Sequence, residues 1–156
     1  MKILLVCLGN ICRSAMAEGI LLDKIKKAKL DIKVDSAGTG CWHAGENPDP
    51  RAIATAKKFG VDISKLVARQ FTEDDFENFD KIFVMDRSNH RDVLELTDSK
   101  EHHNKVDFFL NLVSPGKNLD VPDPWYGGPE GFVYVFKMLD EACEQIILKT
   151  KNGEWK

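Results

Sequence analysis

A cysteine and an arginine with five residues between them, Cys7 and Arg13 in the segment VCLGNICRS, could act together on an anion. The segment joins an apolar run to a stretch with helical periodicity, and Gly9 permits a turn that a side chain would obstruct. Backbone N–H groups in a tight loop before a helix have no partners of their own, so they form an anion nest that the helix dipole reinforces. The guanidinium of Arg13 can grip two oxygens of the same anion, which is typical of a phosphate site.

The thiol of Cys7 is a candidate nucleophile in this loop. The N–H groups and the charge of Arg13 would stabilise a thiolate, and the hydroxyl of Ser14 could donate a hydrogen bond to the sulfur. A nucleophile held beneath a bound tetrahedral anion is the arrangement for covalent catalysis on a phosphate ester. A lone cysteine before a helix is more often a small buried residue, and this spacing also occurs by chance. Its position between a predicted strand and a predicted helix, with Ser14 following, favours the catalytic interpretation.

A phosphate ester also needs a group that protonates its leaving group, and Asp123 in VPDPWYGG is the candidate. The flanking prolines stiffen its backbone, and Trp125 and Tyr126 would form apolar walls suited to an aromatic ring. The alternative is that an aspartate before proline only starts a turn, and Asp49 in NPDP is a second such residue. Because no aromatic residue stands directly beside Asp49, the sequence favours Asp123 as the general acid.

The composition is that of one globular domain spanning residues 1–156, with 43% hydrophobic and 30% charged residues. A net charge of −3 argues against non-specific nucleic-acid binding, which needs a basic surface. No apolar run approaches the roughly 20 residues of a membrane span. The apolar start at residues 3–6 is too short for a signal peptide and lacks a cleavage pattern. We therefore expect a cytoplasmic protein that neither binds nucleic acid nor crosses a membrane.

The four cysteines predict neither a disulfide framework nor a metal site. Thiols stay reduced in the cytoplasm, and no two cysteines stand at the short C-x-x-C spacing that zinc sites use. The adjacent His102 and His103 lie far from them in the sequence. Cys143 lies on the apolar face of the last predicted helix, where we expect it to be part of the core.

Predicted strands and helices alternate along the chain, which favours a parallel sheet with helices on both faces. The strands are predicted at residues 2–7, 31–36, 81–86 and 105–113. The helices are predicted at residues 14–28, 51–59, 88–97 and 132–149, the third of them capped by Ser88. Ligands bind at the carboxyl ends of the strands in such sheets. Because Cys7 ends the first strand, its loop lies where a site is expected.

The motifs VCLGNICRS and DPWYGG together resemble those of the low-molecular-weight protein tyrosine phosphatase family. So do DSAGTGCWHAG, ARQFTEDDFENFDKIFVMD and the acidic, aromatic final helix, so that the resemblance covers essentially the whole chain. It implies a single domain with a four-stranded parallel sheet flanked by helices, and neither a metal nor an organic cofactor. It also implies phosphotyrosine-containing proteins as partners, inorganic phosphate as product and, as the favoured state, a monomer.

The resemblance implies a role for each residue of the two motifs. Cys7 would be the nucleophile, Arg13 the phosphate clamp and Asp123 the general acid and base. Asn10 would hold the shape of the loop, and Ser14 would stabilise the thiolate. The rest of the phosphate-binding loop would be Leu8, Gly9, Ile11 and Cys12, and the pocket would be walled by Trp42, Trp125 and Tyr126, with Leu8 and Ile11 at its mouth.

Cys12 matches the second cysteine of the family's loop, which can form a reversible disulfide with the nucleophile under oxidation. The resemblance therefore implies redox sensitivity, with Cys12 as the partner of Cys7. The sequence is equally consistent with Cys12 being only a small residue that fits the loop.

Two positions depart from the family pattern. Ala15 stands where the family often has proline after the arginine–serine pair, and proline suits a first helical turn without being required there. Leu66 stands where many members have a histidine, which supports a polar network behind the loop that reaches the serine matching Ser36. The sequence therefore leaves open what supports Asn10 and Ser14.

Three other functions share parts of this pattern. A thiol-dependent arsenate reductase on the same fold would need further cysteines for a disulfide relay, and Cys41 and Cys143 do not form a close pair. A phosphocysteine carrier uses a similar loop but has no need of Asp123. A non-catalytic phosphotyrosine-binding module would not need Cys7, Arg13 and Asp123 intact. The sequence favours hydrolysis of phosphotyrosine over all three.

Overall fold

Four parallel strands form one sheet in the computed structural model, which describes residues 1–155 apart from the side chain of Tyr126. The strands are β1 (Lys2–Cys7), β2 (Lys33–Gly38), β3 (Lys81–Val84) and β4 (Val106–Phe108). Their spatial order is β2-β1-β3-β4, and every pair of neighbours runs parallel. The predicted four-stranded parallel sheet is confirmed.

The described residues also form six α-helices and two 3-10 helices. The α-helices are α1 (Arg13–Ala28), α2 (Pro50–Lys58), α3 (Asp75–Asn78), α4 (Arg87–Leu94), α5 (Lys100–Asn104) and α6 (Pro129–Lys151). The 3-10 helices cover Phe109–Leu112 and Pro124–Tyr126. Within this part of the chain, we find no helix whose length and apolar character would allow it to cross a membrane.

The side chains of β1 alternate between two cores, because successive residues of a strand point to opposite faces of the sheet. Ile3 and Leu5 pack with residues of α1, α2 and α6 on one face. Leu4 and Val6 pack with residues of α3 and α4 on the other. Burial on both faces accounts for the uninterrupted apolar run at the start of the chain. The predicted cover of helices on both faces is confirmed.

The carboxyl end of β1 lies at the point where the strand order reverses. The chain passes from β1 to β2 on one side and then crosses to β3 on the other side of β1. In open parallel sheets, crevices for ligands form at such points. Cys7 ends β1 and Asp86 follows β3, so the loops after these two strands meet at the same crevice.

The strand predicted at residues 105–113 ends early. β4 stops at Phe108, and the chain then turns into the 3-10 helix at Phe109–Leu112. Most side chains of this turn are buried in the same core as α1 and α6. An apolar run fits a buried helical turn as well as a buried strand, and hydrophobic periodicity cannot separate the two.

The ends of several elements differ from the sequence prediction. β2 lies two residues later than predicted because it pairs residue for residue with β1, from Lys2–Lys33 to Cys7–Gly38. The cap of α4 is Asp86 rather than Ser88, since the Asp86 carboxylate accepts from the N–H of Asn89 at 2.8 Å.

Helices near the end of the chain also differ. α6 begins at Pro129, three residues before the predicted start at 132, and proline is well suited to a first helical position because its missing N–H needs no partner. The short helix α5 has no counterpart in the sequence prediction. Its cap is Ser99, whose hydroxyl accepts from the N–H of His102 at 3.3 Å.

Candidate active site

The backbone of the loop between β1 and α1 (residues 8–12, the anion loop) is held in a tight turn. Asn10 has a φ of +58°, a left-handed conformation that asparagine tolerates better than most residues. The N–H of Gly40 donates to the carbonyl oxygen of Leu8 at 2.9 Å. Gly38 permits this close approach, because a Cβ atom at that position would lie 2.6 Å from the same carbonyl oxygen.

The anion loop contains backbone donors that have no partner. Across the described residues, the N–H groups of Gly9, Ile11 and Cys12 donate to no backbone or side-chain acceptor. α1 begins directly after the loop, and its first turn carries no acidic residue. The free donors and the positive end of the helix dipole therefore suit an anion such as phosphate.

Two donors surround the buried sulfur of Cys7. The backbone N–H of Asn10 donates to Sγ at 3.3 Å, and the hydroxyl oxygen of Ser14 lies 3.0 Å from it. The side-chain amide of Asn10 donates to that same hydroxyl oxygen at 2.7 Å. Because Ser14 accepts from Asn10, its own hydrogen is free to be donated to the sulfur. Both bonds would stabilise a negative charge on Cys7.

Asn10 is held from three directions although Leu66 provides no imidazole. Its amide nitrogen donates to Oγ of Ser36 at 2.9 Å as well as to Ser14, and its amide oxygen accepts from the N–H of Arg69 at 3.1 Å. Leu66 is partly buried and packs against the apolar core. The support that the sequence left open therefore comes from β2 and from the backbone at residue 69.

A buried carboxyl group, Glu18 of α1, lies behind this network and is only 5% exposed. Burial raises the pKa of Glu18, the nearby carboxylate of Asp35 raises it further, and the resulting pKa is about 8. The hydroxyl of Ser36 and the guanidinium of Arg69 lower this pKa without cancelling the increase. Glu18 is therefore mostly protonated at neutral pH. Its burial is not visible in the sequence, because a glutamate in an amphipathic helix ordinarily faces solvent.

Asp86 orients the buried guanidinium of Arg13. Nη1 of Arg13 donates to Oδ2 of Asp86 at 2.7 Å and to the carbonyl oxygen of Val121 at 3.0 Å. Burial lowers the pKa of Arg13, but Cys7, Asp86 and Asp123 together raise it above its ordinary value, so the charge is permanent. Among the described groups, no acceptor hydrogen-bonds to Nε or Nη2, which leaves one edge of the guanidinium for an anion.

Asp86 is a site residue that sequence reasoning missed, although its position carried a signal. It follows β3, which pairs directly with β1, and the carboxyl ends of neighbouring parallel strands meet at one edge of the sheet. Its Oδ1 caps α4 and its Oδ2 holds Arg13, so one carboxylate fixes both the helix and the guanidinium.

Asp123 faces Arg13 from the start of a 3-10 turn. Its Oδ1 accepts from the N–H of Trp125 at 3.0 Å, and its Oδ2 lies 3.7 Å from Nη2 of Arg13. The side chain is 36% exposed, so a leaving group or a water molecule can reach it. One oxygen therefore shapes the turn and the other faces the anion loop. Asp49 is used differently, since it caps α2 and accepts from Arg51.

A cleft of about 240 Å³ brings most of the predicted site residues together. The anion loop side of its lining consists of Cys7, Leu8, Gly9, Ile11, Cys12 and Arg13. The remaining lining consists of Trp42, His43, Asp123 and Trp125. Trp42 is 70% exposed and Trp125 38% exposed, so both rings are accessible to an aromatic group. The predicted wall residue Tyr126 lies outside the described side chains.

His43 belongs to the cleft although the sequence analysis did not single it out. Its ring centroid lies 5.8 Å from that of Trp125, and its Nδ1 lies 3.1 Å from the Glu46 carboxylate. A Cβ atom on Gly9 would lie 3.1 Å from the His43 ring, so the absence of a side chain at Gly9 leaves room for the ring. The resemblance of the DSAGTGCWHAG motif was the one signal that pointed to this segment.

The four cysteines are all free thiols. Cys12 lines the cleft together with Cys7, and burial, followed by the charge of Asp49, raises the pKa of its thiol. Cys143 is buried in the core, as predicted, whereas Cys41 is exposed. In residues 1–155, the structure contains no group of three or more histidine, cysteine, aspartate or glutamate side chains that could hold a metal ion.

Comparison with known proteins places this site in a family. The family model for low molecular weight phosphotyrosine protein phosphatase matches residues 2–154. The low molecular weight phosphotyrosine protein phosphatase of Schizosaccharomyces pombe is 44% identical to this chain over 149 residues, which cover 94% of each protein.

Solved structures show the same similarity. The protein tyrosine phosphatase of Entamoeba histolytica, crystallised with Hepes in the active site, has 37% sequence identity and a TM-score of 0.91 over 99% of both chains. Wzb of Vibrio vulnificus, in complex with benzylphosphonate, has 30% identity and a TM-score of 0.84 over 95% of this chain and 97% of that one. The chain belongs to the low molecular weight phosphotyrosine protein phosphatase family.

Proposed function

We propose that this protein hydrolyses phosphotyrosine in proteins, as well as small aryl phosphates, through a phosphocysteine intermediate, and that residues 1–156 act as one catalytic domain. The observation that carries the proposal is the position of the Cys7 sulfur, with donors from Asn10 and Ser14, in one cleft with Arg13 and Asp123. Family membership supports a phosphate ester as substrate.

In the first step, the Cys7 thiolate attacks phosphorus in line with the ester oxygen. An S–P bond forms while the P–O bond to the tyrosine ring breaks, and Asp123 transfers its proton to the departing phenolate. The free backbone N–H groups of the anion loop and the free edge of Arg13 hold the other phosphate oxygens. Because these donors are already in place, they stabilise the charge that develops in the transition state.

In the second step, water hydrolyses the phosphocysteine. Asp123, now ionised, takes a proton from the water as its oxygen attacks phosphorus, and Cys7 leaves as a thiolate. Ser14 stabilises this leaving thiolate, because its hydroxyl is oriented by Asn10 to donate to Sγ. Inorganic phosphate is then released and the enzyme returns to its starting state.

The rim of the cleft supports an aryl ester as substrate. The exposed rings of Trp42 and Trp125 and the half-exposed side chain of Leu8 surround the entrance to the anion loop. A tyrosine ring would bury more apolar surface against them than the short alkyl group of phosphoserine. A phosphotyrosine-containing protein is therefore the proposed partner.

The positions of the other cysteines argue against an arsenate reductase. Such an enzyme resolves its intermediate through further thiols that must reach the nucleophile. Here Cys143 is buried in the core and Cys41 is exposed outside the lining of the cleft. A phosphocysteine carrier would leave Asp123 without a role, although the carboxylate faces Arg13.

The test is an assay of the purified protein on a phosphotyrosine peptide and on p-nitrophenyl phosphate, with arsenate and thioredoxin in parallel. Cys7→Ser should abolish turnover and leave the fold intact, because no base lies beside that hydroxyl to activate it. Arg13→Lys should lose about 100-fold or more in kcat, since a point charge cannot replace the guanidinium edge.

Cys41→Ser is the matched control, because Cys41 is exposed and lies outside the lining of the cleft, and it should keep normal activity. Substantial activity in Cys7→Ser would contradict the phosphocysteine scheme. Near-normal kinetics in Arg13→Lys would remove Arg13 from the site, and arsenate reduction without phosphatase activity would replace the proposal by the reductase.

A further inference from the structure

The turn that carries Asp123 makes one hydrogen bond to a distant part of the fold, through the side chain of Arg51. Nη1 of Arg51 donates to the carbonyl oxygen of Trp125 at 2.9 Å. Among the groups that the structure describes, this is the only hydrogen bond that joins residues 123–126 to an element distant in sequence. The bond from Trp125 N–H to Asp123 is internal to the turn. Because Arg13 and His43 approach the turn without hydrogen-bonding to it, the position of the turn depends chiefly on how Arg51 is held.

Asp49 holds Arg51 and is in turn fixed to the anion loop. The Asp49 carboxylate accepts from Nε of Arg51 at 3.1 Å and from Nη2 at 2.9 Å. The N–H of Asp49 donates to the carbonyl oxygen of Ile11 at 2.9 Å. Hydrogen bonds from Arg51 hold the pKa of Asp49 below its ordinary value, so the pair stays ionised at neutral pH. A continuous series of contacts thus runs from the anion loop through Asp49 and Arg51 to Trp125.

Aromatic contacts add to the hydrogen bonds of the guanidinium. Its central carbon lies 5.1 Å from the ring centroid of Trp125 and 4.9 Å from that of Phe132, near the start of α6. Arg51 therefore combines hydrogen bonds to Asp49 and Trp125 with cation–π contacts to two rings. A planar, charged fork can make these contacts together, whereas lysine or glutamine can make only some of them.

We propose that Arg51 is a positioning residue that sets the place of Asp123 relative to the anion loop, an inference that rests on the proposed function because it concerns the acid step. Loss of Arg51 would let the turn shift, and Asp123 would no longer meet the leaving-group oxygen in good geometry. Cys7 and Arg13 would stay in place, because Ser14 and Asp86 hold them independently of Arg51.

The test measures how the effect of Arg51→Gln depends on the leaving group. The value of kcat/KM for phenyl phosphate, whose leaving group needs a proton, should fall roughly tenfold, because small displacements of a catalytic group are costly. This constant reports formation of the phosphocysteine and not its hydrolysis, which is the same for every substrate. Hydrolysis of p-nitrophenyl phosphate should fall by at most about twofold, since its leaving group needs little protonation. Arg87→Gln removes the same charge from an exposed side chain near Asp120 and should leave both rates unchanged.

A second measurement separates positioning from a general loss of structure. In an Asp123→Asn background, adding Arg51→Gln should cause no further loss on phenyl phosphate, because the group that Arg51 positions no longer donates a proton. A loss that is equal for both substrates, or that persists undiminished in the Asp123→Asn background, would overturn the inference.

Asp49→Asn is a second variant for the same measurement, for use if Arg51→Gln folds poorly. Asparagine retains an oxygen that can cap α2, but it removes the charge that pairs with Arg51. It should show the same dependence on the leaving group with a smaller loss, and an equal loss on both substrates would contradict the inference. A wild-type protein inactive on both substrates would contradict the proposed function instead.

Discussion

Asp123 uses its two carboxylate oxygens for different purposes. Oδ1 accepts from Trp125 N–H and shapes the turn, while Oδ2 faces the guanidinium of Arg13. Asparagine could keep the first contact through its own amide oxygen but could not donate the proton of an acid. Asp123→Asn should therefore lose about 100-fold in kcat/KM, which reports the acid step alone, on phenyl phosphate and clearly less on p-nitrophenyl phosphate. A series of aryl phosphates with different leaving-group pKa values measures the difference.

The same series distinguishes the general acid from a residue that only shapes its turn. A purely structural aspartate would give an equal loss on every substrate, and that result would remove Asp123 from the acid role while leaving Cys7 and Arg13 in theirs. Asp120→Asn is the matched control, because its carboxylate is 48% exposed and lies outside the lining of the cleft. It accepts from the backbone N–H of Arg87 at 3.0 Å, a hydrogen bond that the amide oxygen of asparagine can also accept. It should leave the dependence on leaving group unchanged.

Cys12 gives the site a second thiol within the same cleft as Cys7. Peroxide would oxidise the Cys7 thiolate to a sulfenic acid, and attack by the Cys12 sulfur would then release water and form a disulfide. Burial raises the pKa of Cys12, so Cys7 is the thiol expected to react first. Mild peroxide should inactivate the enzyme and a thiol reductant should restore it, whereas Cys12→Ser should recover far less activity.

Peptide mass mapping after peroxide treatment checks this pathway directly. A Cys7–Cys12 linkage is the expected product, and Cys41→Ser should recover as the wild type does. Finding Cys7 only as sulfinic acid, with Cys12 free, would show that Cys12 is only a small residue of the loop.

The elements that form the site differ in how well they can be predicted from the sequence. Strand β1, the anion loop and α1 are continuous in the chain, so one motif predicts the nucleophile, the turn and the arginine together. Asp86 and Gly38 act through the sheet instead. Asp86 depends on the pairing of β3 with β1, and Gly38 depends on the register that places it beside Cys7. Neither register nor strand order is visible in local periodicity.

Other parts of the site leave no side-chain pattern to recognise. The amide oxygen of Asn10 is held by the backbone N–H of Arg69, a donor that almost any residue offers, so the substitution at Leu66 could not be weighed from the sequence. Arg51 joins α2 to the turn at Trp125 through a carbonyl oxygen, which again has no side-chain signature. The motif residues could be predicted because they are close together in the sequence. The residues that hold them in place could not be predicted, because they are brought to the site only by the fold.

At the scale of the whole molecule, the fold buries the carboxyl group of Glu18 behind the active site. A buried carboxyl group must be paired or protonated. Glu18 of α1 lies near the carboxylate of Asp35 in β2. Arg69 is also nearby, but it forms salt bridges with both Asp35 and Asp75. At neutral pH a bound proton neutralises the carboxyl group of Glu18.

This proton makes the stability of the whole fold depend on pH. The pKa of Glu18 is about 8 in the folded protein and ordinarily 4.5, so between these values the folded state holds a proton that the unfolded state releases. The contribution of protonated Glu18 to stability should therefore be fully present at and below about pH 4.5. The free energy of unfolding should decrease as pH rises from there through 8. Glu18→Gln imitates the protonated form, so it should be close to the wild type at pH 5. At pH 9 it should be more stable than the wild type by a few kcal/mol, roughly what the shift in pKa implies.

Urea unfolding of both proteins at pH 5, 7 and 9 measures this difference. Glu141→Gln, which changes an exposed carboxylate of α6, is the control that should follow the wild type. Parallel curves for the wild type and Glu18→Gln would mean that Glu18 is ionised in the folded protein and that another group compensates its charge.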